Sequence, residues 1–356
     1  MSGLSLDRRE FLTGASALSA VTFAAPSALA AKKAKTTDPM IWAFYACFGV
    51  SNRRPLDFNQ KLWERHIDYA LKTGHNLMLV EVNAGLRYAS HPELAQKDSQ
   101  PASWMNAEVR RMRKRGLEVV PMLNFSWGHD LWLEKYRLLH ASDKYFRVAK
   151  DLIVELGEIF EHPQFFHIGM DEETTGPKDH ALVTFRKDDL WYAETARLCK
   201  ICEEAGMRPW MWCDHGWDEE HVRYRQKCPK SAIQSNWHYD DWAVGFDLER
   251  LEKSPDWIDR YQANHIRLMV ELNEAGFDQI PCGSTYMWDR RFRRGFEVNE
   301  AILDMARFCR ERLDPKRLKG YLMAAWHEYQ YPQEVEPLDF SMDLMKRLRE
   351  QQTAGG

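Results

Sequence analysis

Eight short β-rich runs alternate along this chain with longer amphipathic segments, and that alternation restricts it to parallel α/β architectures. The runs are Met40–Phe48, His75–Val82, Leu117–Leu123, Phe165–Asp171, Met207–Asp214, Ser231–Trp237, Phe277–Tyr286 and Leu318–Trp326. Helical periodicity fills the intervals at Gln60–Thr73, Ala102–Arg115, Asp143–Phe160, Asp188–Ala205, Asp256–Ala275 and Val298–Arg312. Parallel neighbours need a crossover of about a dozen residues or more, which these segments supply. Eight such units close a ring, so the predicted fold is α/β, a (β/α)8 TIM barrel.

The connections fall into two kinds. Lys72-Thr73-Gly74, Lys114-Arg115-Gly116, Glu204-Ala205-Gly206 and Glu274-Ala275-Gly276 each place glycine just past a helix, with the next strand starting at once. The loops that follow the strands are longer and richer in Trp, His, Asp and Asn, as expected of the active face of such a barrel. The strand ends contribute Glu81 and Asn83, Asn124 and His129, His167 with Asp171 and Glu172, and Trp212 with Asp214. Trp237 and His238, Tyr286 and Asp289, and Trp326 with Glu328 complete the ring. Carboxylates bind hydroxyls and move protons while flat rings cover the apolar faces of pyranoses, so this mixture suits a carbohydrate.

The N-terminus reads as an export signal. Arg8 and Arg9 precede Phe11 and Leu12, a diluted apolar run follows, and Ala28-Leu29-Ala30 offers a cleavage site of small residues. That is the pattern of a twin-arginine signal over residues 1–30, with a periplasmic or secreted destination, a single barrel over 31–350 and a polar tail over 351–356. A formal charge of −4 with both signs interspersed leaves no basic stripe for nucleic acid or an anionic membrane. No later apolar run is long enough to span a bilayer. Phosphate-binding glycine motifs are absent, so no nucleotide cofactor is expected. The seven cysteines suggest no pairing, and Cys199 and Cys202 lie inside a helical pattern with no second pair beside them.

The strongest motif is the run from Phe165 to Glu173, a buried-type strand that stops on adjacent acids. It resembles the H-x-G-x-D-E strand of the family-20 glycoside hydrolases, the β-N-acetylhexosaminidases. Pro121-Met122-Leu123-Asn124 followed by Gly128-His129 is similar to that family's P-E-I-D-x-P-G-H segment, and Asn76–Leu94 resembles its second-strand region. Trp210-Met211-Trp212 and Ala324-Ala325-Trp326-His327-Glu328 resemble its two W-x-E strands, so the matches span most of the chain in order. The resemblance implies substrate-assisted retaining hydrolysis without metal or cofactor, on a glycan that contains N-acetylhexosamine. It makes Glu172 the acid/base and Asp171 the residue that orients the acetamido group. His167 would support the pair, and His129 would accompany the acid. Tyr286 would contact the acetamido oxygen, Trp212 and Trp326 would wall the subsite, and Glu328 would hold hydroxyls. The chain departs from the pattern at Met170, where the family has a second glycine, at Asn124 in place of Asp, and at Met122 in place of Glu. The family's first-strand arginine has no clear counterpart, Arg53, Arg54 and Arg87 being possible substitutes.

Three other readings stay open. One is a two-carboxylate glycosidase with Glu172 as acid and Glu81, Asp214 or Glu328 as its partner. Another is a glycan-binding barrel without turnover. The last is a metal hydrolase built on Asp214, His215, Asp218, Glu219 and His221, residues of ligand type in no recognisable metal motif.

Overall fold

Strands whose two faces are both covered read as near-continuous apolar runs, and the first run shows why. In β1 (Ile41–Cys47) the odd residues Ala43, Tyr45 and Cys47 pack into the barrel interior, while Trp42, Phe44 and Ala46 face the surrounding helices. The computed structural model describes residues 40–49, 58–173, 186, 189–217, 220–239, 247–284, 301–324 and 335–354. The other strands are β2 (Leu77–Glu81), β3 (Glu118–Met122), β4 (Phe165–His167), β5 (Arg208–Trp212), β6 (Ile233–Ser235), β7 (Cys282–Ser284) and β8 (Gly320–Ala324).

These form one eight-stranded parallel sheet in which consecutive strands are neighbours and β8 returns to β1, Ile41 standing opposite Gly320. Main-chain hydrogen bonds close the remaining gap between β6 and the approach to β7: Gln234 N to Asp278 O at 2.9 Å, Ile280 N to Gln234 O at 3.0 Å and Cys282 N to Asn236 O at 2.8 Å. The chain is thus a (β/α)8 barrel, as the alternation predicts, and each of the eight expected runs contains one of its strands.

Six helices lie where their periodicity places them, α1 (Gln60–Lys72), α2 (Ala102–Lys114), α3 (Asp143–Ile159), α4 (Asp189–Glu204), α7 (Trp257–Glu274) and α8 (Ala301–Arg312), while α5 (His221–Lys227), α6 (Leu248–Glu252) and α9 (Val335–Ala354) fall outside the predicted segments. Asn59 starts α1 by accepting from the backbone N–H groups of Lys61 and Leu62, and Ser142 starts α3 by accepting from Tyr145 N. At the other end Gly74, φ 84°, donates to Leu71 O while His75 donates to Ala70 O. This double closure satisfies two orphan carbonyls and sends the chain directly into the next strand. Gly116, Gly206 and Gly276 repeat it. The short loops therefore all belong to one end of the barrel, and the chemistry-bearing loops to the other.

Two elements depart from the expectations. The run from Phe165 stops as a strand at His167, because Gly169, Met170 and Glu172 are all left-handed. The expected polar tail begins inside a helix, α9, whose Met342, Leu344, Met345 and Leu348 are buried. All seven cysteines are buried and none forms a disulfide, Cys199 and Cys202 lying on the inner face of α4. No described helix is long and apolar enough to cross a membrane.

Candidate functional site

Parallel register brings the ends of β2, β3, β4 and β5 to one rim, since Glu81 stands opposite Met122, Met122 opposite His167, and His167 opposite Trp210. Side chains two residues further along continue the inward-facing series. Glu81, Asn124, His167 and Asp214 thereby surround the turn that carries Asp171 and Glu172.

That turn is built by conformation as much as by composition. Gly169 has φ 75°, Met170 φ 76° and Glu172 φ 57°. A β-carbon on Gly169 would lie 2.1 Å from Asn124 Oδ1 and 2.8 Å from Asn124 Cα, so only glycine lets the ends of β3 and β4 come this close. Met170, fully buried, occupies the second left-handed position at the cost of strain. Gly169→Ala is expected to cost about 2–4 kcal/mol from overpacking and left-handed strain together. Gly116→Ala, at φ 91° with nothing within 4 Å of the added carbon, should lose only the strain component. Equal losses for the two variants in urea unfolding would show that the β3–β4 approach is not this tight.

The two adjacent acids have different partners. Asp171 Oδ1 accepts from Asn124 Nδ2 at 2.9 Å and lies 2.9 Å from Ser126 Oγ. Glu172 turns the other way, its Oε2 2.9 Å from His129 Nε2, which is also 3.6 Å from Asp171 Oδ2. Burial opposes a charge on His129, but the carboxylates of Asp171 and Glu172 outweigh it and raise the imidazole to about 10. The hydrogen bond from His129 holds Glu172 below the usual carboxylate range against its partial burial. At neutral pH the pair is therefore an imidazolium and a carboxylate, opposite to the raised acid that adjacent carboxyls alone suggest. The Glu172 side chain is 55% exposed, so the pair faces the open mouth.

Glu81 lies deeper. Its Oε2 accepts from the Tyr45 hydroxyl and its Oε1 from Asn83 Nδ2 at 2.8 Å. Burial pushes this carboxyl up against those hydrogen bonds and the His129 cation. Asp214 is 1% exposed, and its Oδ2 accepts from the Glu172 N–H at 2.6 Å. Burial, then the charge of Asp171, push its carboxyl well above the ordinary value. His167 sits beneath the turn, where its Nδ1 accepts from Gly169 N at 3.1 Å. The proton of the neutral ring is then on Nε2, and burial keeps it neutral. Trp212, also buried, packs edge-on to that ring at 4.8 Å, so it floors the site rather than lining its opening.

Trp237, half-buried at the end of β6, belongs to a neighbouring aromatic group with Trp217 at 4.5 Å and Tyr239 at 5.2 Å. Tyr286, Trp326 and Glu328 lie outside the described residues, as do Asp218, Glu219 and residues 1–39. The remaining members of the proposed metal cluster are turned to other uses. His215 stacks on Trp191 at 3.8 Å, and His221 pairs with Glu271 at 2.8 Å.

Sequence reasoning passed over Ser126, Tyr45 and a buried ionic cluster under the turn. Ser126 and Tyr45 had a signal available, being respectively two residues past Asn124 and inward-facing on β1. In the cluster, Glu173 Oε1 is 3.4 Å from Arg186 Nη2, and Arg186 Nε is 3.3 Å from Glu194 Oε2, all three side chains being 1–3% exposed. Glu173 Oε1 also accepts from Trp127 N at 2.7 Å, tying the loop of His129 to the turn of Glu172.

No family model matches the sequence, and no curated protein matches it. Solved structures do. One, from work on inhibition of the pneumococcal virulence factor StrH and on N-glycan recognition and hydrolysis, aligns at 13% identity over 87% of this chain and 83% of its own, with a TM-score of 0.57. A Flavobacterium johnsoniae chitobiase aligns at 15% identity with a TM-score of 0.57, over 86% of this chain and 47% of the chitobiase, so this chain spans about half of that protein. A family-5 glycoside hydrolase from Prevotella bryantii, in complex with a xyloglucan tetradecasaccharide, aligns at 10% identity over 87% of this chain and 96% of its own, with a TM-score of 0.53. At these identities the likeness is one of fold. The chain has the same (β/α)8 barrel fold as these structures.

Proposed function

We propose that this protein is an exported retaining glycoside hydrolase of the β-N-acetylhexosaminidase type, with Glu172 as acid/base and Asp171 as the residue that orients the substrate's acetamido group. The observation that carries the proposal is that these adjacent acids share one left-handed turn at the barrel mouth yet have separate partners, Asn124 and Ser126 for Asp171 and His129 for Glu172. Two carboxyls so divided suit two tasks. The acetamido oxygen attacks the anomeric carbon as the glycosidic oxygen departs with a proton from Glu172. Water, deprotonated by Glu172, then opens the resulting oxazolinium with retention. In the resting pair that proton belongs to His129. A sugar that displaces water from the exposed Glu172 weakens the carboxylate's hydration and favours transfer of the proton across the 2.9 Å contact.

In the two-carboxylate alternative, Glu81 is poorly placed as a nucleophile because both of its oxygens are engaged by Tyr45 and Asn83. The deciding experiment compares aryl β-N-acetylhexosaminides with the matching 2-hydroxy glycosides. The acetamido sugar should be favoured in kcat/KM by on the order of 10³-fold or more. Equal hydrolysis would transfer the argument to the two-carboxylate mechanism, and saturable binding without turnover to a glycan-binding barrel. Export over residues 1–30, releasing a barrel of 31–350, is part of the same proposal. Exchanging Arg8 and Arg9 for lysine should hold the precursor in the cytoplasm.

A further inference from the structure

We infer that Asp214 is a positioning residue of the Asp171-Glu172 turn rather than a sugar ligand, its carboxyl holding the Glu172 amide and so fixing where the Glu172 carboxyl stands. The kinetic consequence rests on the proposed glycosidase function, whereas the geometry does not. Asp214 follows β5 by two residues and faces inward, but it is 1% exposed and its Oδ2 is committed to Glu172 N at 2.6 Å. Its Oδ1 is buried and has no hydrogen-bond partner among the described residues. A hydroxyl-binding carboxylate needs access, and this one has none.

Glu172, in contrast, needs holding. A non-glycine residue at φ 57° persists only where its surroundings over-determine it. His129 holds the carboxyl of Glu172, Asn124 and Ser126 hold the neighbouring Asp171, and Asp214 holds the amide between them. Burial and the nearby Asp171 charge favour a neutral Asp214, which accepts the N–H without adding another negative charge beside the two acids. A neutral amide of the same shape can make the same bond, so asparagine should replace Asp214 and alanine should not.

The test compares Asp214→Ala, Asp214→Asn and the parent on two readouts. The first is kcat and KM for aryl glycosides with good and poor leaving groups. Asp214→Ala should lower kcat for poor leaving groups by about 10²-fold, because a misplaced acid fails most where protonation matters most, with KM little changed. Asp214→Asn should stay within about five-fold of the parent, since it keeps the acceptor. The second readout is hydrogen exchange of the Glu172 amide by NMR, which should be slow in the parent and in Asp214→Asn and accelerated in Asp214→Ala. A raised KM with kcat retained, an asparagine variant as impaired as alanine, or unchanged Glu172 exchange in Asp214→Ala would overturn the inference. Should the parent hydrolyse no glycoside, the proposed function falls, while the exchange comparison still decides the role of Asp214.

Discussion

Glu172→Gln is expected to lower kcat/KM for glycosides with poor leaving groups by about 10²–10⁴-fold, the usual contribution of a positioned proton donor, and to leave activated aryl glycosides far less affected. The difference arises because a good leaving group departs with little protonation. Asp171→Asn should behave otherwise, losing about 10²–10³-fold on activated and unactivated substrates alike, since it removes the group that orients the nucleophilic acetamide and balances its developing charge. The asparagine can keep the contacts with Asn124 Nδ2 and Ser126 Oγ through its own Oδ1, which then turns its amide nitrogen, a donor, toward His129 Nε2 in place of the carboxylate oxygen. The ratio of kcat/KM between the two substrate classes, measured for each variant, checks the assignment. If both variants give the same ratio, the roles of the two acids have not been separated.

The second large effect is on stability. Arg186→Met should destabilise the barrel by about 3–5 kcal/mol, because it strands Glu173 and Glu194 as uncompensated buried carboxyls. Burial already pushes Glu173 up, and the Arg186 charge is what opposes it. Adding Glu173→Gln and Glu194→Gln to the same variant removes the unpaired charges and should recover much of the loss, since neutral packing often equals a buried ion pair in stability. Urea unfolding of the three proteins provides the comparison. A loss under about 1 kcal/mol for Arg186→Met is the range of an exposed pair and would mean that water reaches this cluster. Because Glu173 also holds Trp127 N, the variant should lose activity as well, through the loop that presents His129.

The architecture was legible in the chain because its signals are local. A short, near-continuous apolar run marks a strand covered on both faces inside a ring of helices, and a glycine directly between helix and strand marks the short-loop end. These patterns need no knowledge of what lies opposite. The arrival of Asp171 and Glu172 at the mouth was legible for the same reason, as was the placement of Asn124, Asp214 and Glu81 at the same end, although the strand itself stops at His167 and a left-handed turn carries the two acids. Helix α9 lay outside the predicted segments, although Leu338, Met342, Met345 and Leu348 recur at helical spacing and Pro337 in its first turn is compatible with a helix start.

What each site residue touches was decided by the tertiary structure. Asp214 reads as a sugar ligand in sequence, yet its carboxyl is turned onto the Glu172 backbone 42 positions away. Glu173 has no role assigned from the sequence, and with Arg186 and Glu194 it forms a buried cluster under the turn. The charge states follow the same rule: Glu172 is lowered because His129 meets it across 43 positions of chain, and His129 is raised against its burial by Asp171 and Glu172 together. A side chain's hydrogen bonds and proton affinity depend on groups within about 4–6 Å of it. In a barrel those groups come from neighbouring strands, so the sequence determines which residues reach the mouth, and only the closure of the ring determines which of them touch.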